Sequence, residues 1–186
     1  MVYYHCSPQG GISILEPRVS QLFDNQKVVY MTTSLPMALM YAIRHFEYTY
    51  GYHWIDGKPQ GIYFEEYFPD ALRVLYGGKP AWLYTCEAGH YETTKKPNEW
   101  ISLAPVPVRG AAYIPDALEA LLEQERTGQL EITRYPHMSE KALAWVRREE
   151  KATILKHGLL DKEDAFARFM KEKYPLSWAD ALAQRG

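Results

Sequence analysis

The feature that most limits the fold is a change of pattern at Pro136. Up to Tyr135, short runs rich in Val, Ile, Tyr and Thr are separated by turn-forming clusters and brief helical stretches, whereas every periodic segment beyond Pro136 is helical. Strands grouped ahead of helices, without a regular β-α alternation, predict the α+β class: a split, mostly antiparallel β-core followed by a C-terminal helical extension. We expect residues 1–135 to form the core and 136–186 to pack on it. The tail carries Trp145, Phe166, Phe169 and Trp178, which an undocked helical tail would leave in water.

Within the first part, Val2 to His5 is a β-type run halted by Ser7-Pro8-Gln9-Gly10-Gly11, which sets His5 at a strand end. Val28 to Thr32 is a second strand. Thr33-Ser34 can cap a helix starting near Leu35, with Pro36 in its first turn. At about 100° per residue, Leu35, Leu39, Ala42 and Phe46 fall on one stripe, and Met37, Tyr41, His45 and Tyr48 fall on another. The first stripe is core; the second suits a cleft wall. Gly51 to Gly61 reads as a loop, Ile62 to Tyr76 as a helix interrupted at Pro69, and Ala81 to Glu87 and Glu99 to Val108 as strands. A helix from Pro115 to Arg126 and a strand from Leu130 to Tyr135 complete this part. The tail predicts helices over 139–157, 162–173 and 178–184.

Composition narrows the function. The formal net charge is -2 and basic residues are interleaved with acidic ones, which argues against nucleic acid as the main partner. Cys6 and Cys86 stand far apart and outside any metal-ligand spacing, so the expectation is reduced thiols, no structural or catalytic metal, and a cytoplasmic setting. No apolar run approaches the roughly 18 residues of a membrane helix. Ten of the 15 tyrosines fall from Tyr30 to Tyr91; each offers a flat apolar face with a hydrogen-bonding tip, which suits the walls of a cleft.

Three separated segments fit a chemistry that such a cleft can carry: Tyr4-His5-Cys6-Ser7, the stretch from Val29-Tyr30 through Ala38 to Tyr41, and Asn98-Glu99-Trp100-Ile101. In kind, order and spacing they resemble the three motifs of the ADP-ribosyltransferase superfamily. The resemblance is to its His-Tyr-Glu branch, which includes the poly(ADP-ribose) polymerases and the small rifampin-modifying enzymes. It covers residues 2–135 in element order and implies NAD as co-substrate. His5 would bind a ribose hydroxyl, and the backbone of Cys6 would hold the nicotinamide amide. Tyr30 would wall the pocket, and Tyr41, eleven residues later, would stack on nicotinamide. Glu99 would assist transfer. Breaking the nicotinamide–ribose bond develops positive charge on the ribose, so a carboxylate there stabilises the oxocarbenium-like state.

The resemblance thus implies a catalytic set of Glu99, His5 and Tyr30, and NAD-binding positions at His5, Cys6, Tyr30, Ala38 and Tyr41. Two positions depart from the family pattern: Cys6 stands where glycine is common, and Ala38 where a serine often holds the carboxamide. Glu87 and Glu92 are rival carboxylates. The implied activity is transfer of ADP-ribose to an unidentified acceptor, a protein or small molecule, or to water. The alternatives are a non-catalytic module binding NAD, ADP-ribose or a protein on the same fold, RNA 2'-phosphate transfer, and an interaction protein using its tyrosine-rich surface. A Cys6–His5 nucleophilic pair is disfavoured because adjacent strand residues point to opposite faces.

Overall fold

A computed structural model describes residues 1–20, 23–47, 49–87 and 89–185. The fold is α+β, with a mostly antiparallel sheet and a helical C-terminal part. The chain divides into two compact units. One comprises Met1–Phe64 and Leu72–Ile132, the other Glu65–Ala71 and everything from Thr133 onward.

The main sheet of the first unit runs in the order β2 (Ile14–Leu15), β10 (Val106–Ile114), β7 (Ala81–Cys86), β1 (Tyr3–Ser7), β4 (Lys27–Thr32), β9 (Glu99–Ser102) and β8 (Glu92–Thr93). A short β3 (Arg18–Val19) also pairs with β4. β1 is therefore an inner strand, antiparallel to both β7 and β4. Register aligns Tyr4 with Thr32 and Thr32 with Glu99, so these three residues stand in one row across β1, β4 and β9. One side of the sheet packs Tyr3, Leu15, Val29, Met31, Cys86 and Val106 into a buried cluster. The ring of Tyr3 meets Tyr91 and Trp100 edge-on at centroid distances of 4.9 and 5.5 Å.

The β4-to-helix turn is built locally. The Ser34 amide donates to Thr32 Oγ1 at 3.0 Å, and Ser34 caps helix α1 (Leu35–Met40), with Pro36 in its first turn. The helix is shorter than its periodicity predicts, ending at Met40 with Tyr41 as its C-cap. The cause is tertiary. The Met40 carbonyl, which a longer helix would offer to residue 44, accepts from the Tyr76 hydroxyl at 3.0 Å, and the chain leaves through a tighter Ala42-to-Leu39 bond. The two expected stripes dissolve accordingly: Met37 is fully buried beside Leu39 and Ala42, whereas Phe46 is 47% exposed. Tyr48 lies outside the described residues.

Three further expectations are corrected. The segment read as a loop from Gly51 to Gly61 is a hairpin of β5 (Tyr50–Ile55) and β6 (Lys58–Glu65), turned by Asp56 and Gly57, both at positive φ (50° and 71°). Asp-Gly at this place is a strong hairpin signal, because a two-residue turn of this hand needs positive φ twice. β6 also takes Ile62 to Glu65 away from the expected helix, leaving only α2 (Ala71–Tyr76). With β11 (Leu130–Thr133), the hairpin makes a second, three-stranded sheet. The run expected from Glu99 to Val108 is in fact two strands, β9 and β10, separated at residues 103–105. Pro107 sits within β10, where its carbonyl accepts from the Glu87 amide at 2.9 Å. Helix α3 (Ala117–Arg126) is capped by Asp116 and stopped at Thr127-Gly128.

The second unit has its own core. Helices α4 (Glu140–Lys156), α5 (Ala165–Lys173) and α6 (Pro175–Arg185) bury Val146, Ile154, Leu159, Met170 and Ala181 among them. Ser139 and Asp164 cap the first two, and Gly158, at φ 58°, follows the end of α4. The mid-chain segment Glu65–Ala71 belongs here: Phe68 lies edge-on to Phe169 and Tyr174, and the Glu66 carboxylate accepts from the Tyr135 amide at 3.2 Å. No helix among the described residues is long and apolar enough to cross a membrane.

The placement of Tyr76 yields a stability test. It is 1% exposed, and its hydroxyl is bonded to both Met40 O and His45 Nε2. Tyr76→Phe should lower the unfolding free energy by about 1–2 kcal/mol in a urea titration, since buried partners lose their hydrogen bond. An unchanged midpoint would contradict this account of where α1 ends.

Candidate functional site

A cleft of about 630 Å³ opens in the first unit, and its lining includes His5, Cys6, Tyr30, Ala38, Tyr41 and Glu99. These residues come from β1, β4, α1 with its cap, and β9. Sheet order explains their convergence: β4 lies between β1 and β9, and α1 follows β4 through the capped turn. The cleft continues toward a second depression of about 790 Å³, which shares His5, Arg18, Tyr30 and Arg44 with it.

His5 Nδ1 lies 2.9 Å from the Tyr30 carbonyl oxygen. A carbonyl only accepts, so Nδ1 carries the proton and Nε2 of the neutral ring is an acceptor. Burial, aided by the positive charge of Arg18, lowers the pKa of His5 below its ordinary value of 6.5, so the ring is neutral at pH 7. This is the form that can accept a hydrogen bond from a hydroxyl.

Tyr30 is anchored at its tip, where its hydroxyl and Ser20 Oγ are 2.6 Å apart, and its ring tilts against Phe23 at 5.8 Å. Burial raises its pKa, which keeps it protonated. Tyr41 reaches the cleft as the cap of α1 and is 36% exposed. Its hydroxyl is bonded to that of Tyr50, and its ring stands edge-on to Tyr50 at 5.9 Å. The Lys96 ammonium reaches both hydroxyls, at 3.4 and 3.3 Å.

Glu99 is 6% exposed and is the only carboxylate lining the cleft among the described residues. Its Oε1 accepts from Thr94 Oγ1 at 2.8 Å. It follows Asn98, whose φ of 57° turns the chain into β9 and whose carbonyl accepts from the Thr33 amide at 3.0 Å. The rivals lie elsewhere: Glu87 pairs with Arg109 at 3.1 Å, and Glu92 is exposed on β8.

Cys6 and Ala38 contribute walls. The Cys6 thiol is pushed up to about 12 by burial, so it stays protonated and is no nucleophile. Ala38 is 1% exposed and offers only a methyl group. Residues the sequence reading passed over include Arg18, Arg44, Thr94, Lys96 and Tyr50. Arg18 and Arg44 line the cleft with no carboxylate paired to either among the described residues, which leaves two cations facing the space near one anion. A local signal existed for Arg44, three residues beyond Tyr41; Arg18 is brought in only by the β3–β4 pairing. No group of three His, Cys, Asp or Glu suited to a metal ion occurs among the described residues.

The chain matches no family model, and no curated protein or solved structure matches it.

Burial makes a simple prediction for the thiols. Cys86 is also pushed up to about 12 by burial, and both cysteines are free. A thiol-disulfide reagent at about pH 8 should label neither in the native protein and both after denaturation, because the thiolate is the reactive form. Rapid native labelling of Cys6 would overturn its assignment as an inert wall.

Proposed function

We propose that the cleft binds NAD and transfers its ADP-ribosyl group to an acceptor or to water. The observation that carries this reading is the meeting of His5, Tyr30, Tyr41 and Glu99, from four separate elements, in one cleft. Its volume of about 630 Å³ suits a ligand of dinucleotide-half size. The donor set fits as well: an exposed aromatic ring, a neutral imidazole acceptor, two arginines for a diphosphate and one carboxylate.

NAD supplies a ribose carbon joined to a positively charged leaving group. The protein's part is placement and electrostatics. Tyr41 stacks on the nicotinamide ring, and its hydroxyl is occupied by Tyr50, so the ring face is its useful surface. His5 Nε2 accepts from a ribose hydroxyl, and Tyr30 closes the wall. Arg18 and Arg44 hold the diphosphate. Glu99, buried and oriented, stabilises positive charge as it develops on the ribose and polarises a ribose hydroxyl. The buried, unpaired cysteines accord with a reducing, cytoplasmic setting.

A second reading, a non-catalytic binder of NAD or ADP-ribose, is favoured by Ala38, which provides no hydrogen bond to a carboxamide. Turnover separates the two. Wild type should release nicotinamide from NAD, and Glu99→Gln, equal in size but uncharged, should release it about 100-fold more slowly with little change in NAD affinity. Binding without release by wild type would favour the binder; equal rates for both proteins would remove Glu99 from the reaction.

A further inference from the structure

Glu99 has a long side chain with several rotatable bonds, and a carboxylate that must face one ribose position loses effectiveness if it samples others. We infer that Thr94, which lies outside the cleft lining, is the positioning residue that sets the Glu99 carboxylate. This inference rests on the reading of the cleft as an ADP-ribosyl transfer site.

Thr94 is directly opposite Glu99. The β8–β9 pairing aligns Glu92 with Ile101 and Thr93 with Trp100, so the next pair, at the closing end of the hairpin, is Thr94 with Glu99. One backbone bond holds that pair, the Thr94 amide donating to the Glu99 carbonyl at 3.1 Å, and a second closes the turn, the Glu99 amide donating to the Lys96 carbonyl at 3.4 Å. The direction of the hydroxyl bond follows from its single proton. Thr94 Oγ1 accepts from the Lys96 amide at 3.0 Å, and its proton has a near acceptor, Glu99 Oε1 at 2.8 Å, and a far one, the Lys96 carbonyl at 3.5 Å. The Glu99 carboxylate takes it, since 2.8 Å is a normal O–H···O distance and 3.5 Å lies beyond that range. Glu99 lines the cleft of about 630 Å³ and Thr94 does not, while both line a neighbouring depression of about 350 Å³, so the Thr94 hydroxyl reaches the cleft only through the carboxylate that it bonds. The Lys96 amide in turn fixes the hydroxyl, making the 94–99 loop a closed hydrogen-bonded unit that presents one carboxylate.

The test uses an isostere and a rescue on the full chain. Thr94→Val keeps the shape and removes the hydroxyl, whereas Thr94→Ser restores it. Nicotinamide release should fall in kcat about 10- to 100-fold for Thr94→Val, with KM for NAD within about twofold, and return to within about threefold of wild type for Thr94→Ser. A wild-type kcat in a folded Thr94→Val protein, or a loss in both variants alike, would overturn the inference. Crystal structures of the same two variants separate its failure from that of the underlying reading. If wild type releases no nicotinamide, the transfer reading fails; the positioning claim then stands if the carboxylate turns away in Thr94→Val and returns in Thr94→Ser. It falls if the carboxylate is unmoved.

Discussion

The pairing of β4 with β1 on one edge and β9 on the other is the constraint on which the site depends. Each motif is short and, taken singly, an ordinary piece of strand or turn. Hydrogen-bonded register makes Tyr4, Thr32 and Glu99 one row, and sheet spacing of about 4.8 Å brings residues nearly a hundred positions apart within reach of a single small ligand. The Thr32–Ser34 turn then commits α1 to start immediately beyond that row, which delivers Ala38 and Tyr41 to the same cleft. A register slip between β4 and either neighbour would reverse which face its side chains meet and dismantle the site.

The chemistry of the cleft follows from burial more than from charge. His5 and Tyr30 are both held in their neutral forms by desolvation, which gives a hydrogen-bond acceptor at the imidazole and a protonated phenol tied to Ser20. Against these neutral walls, the charged groups are few: Glu99 on one strand, and Arg18 and Arg44 elsewhere in the lining. A ligand with a diphosphate and a positively charged aromatic end complements this layout, and in a partly buried cleft such charges interact more strongly than at an open surface. The Glu99 side chain is itself supported, by a hydroxyl donor on its carboxylate that the Lys96 amide holds in turn.

Local features were legible in the sequence and non-local ones were not. Ser34 as a cap and Pro36 in the first turn report on the residues beside them, and α1 starts where they indicate; the helix read from Pro115 begins two residues later at Ala117, with Asp116 as its cap, and the one read over 139–157 spans Glu140–Lys156. The length of α1 was not legible, because the Met40 carbonyl is taken by Tyr76, a residue 36 positions away. The hairpin of β5 and β6 carried its signal in Asp56-Gly57, but the surrounding glycines and Pro59 drew the reading toward a loop. The membership of Glu65–Ala71 in the helical unit depends on Phe68 meeting Phe169 and Tyr174, which no local pattern encodes. In the cleft, Tyr30 and Tyr41 share one strand-turn-helix and could be placed by counting. The adjacency of His5, Glu99 and Arg18 is a matter of strand order, which only a resemblance to a known arrangement suggested in advance, and which suggested nothing for Arg18.

The most direct test of the central claim is a crystal structure of the protein with NAD. The account predicts density for the nicotinamide ring parallel to the face of Tyr41, its ribose within hydrogen-bond distance of His5 Nε2 and Glu99, and the diphosphate beside Arg18 and Arg44. Ordered NAD in another cavity, or an empty cleft at saturating NAD in crystals that leave it open to solvent, would contradict it.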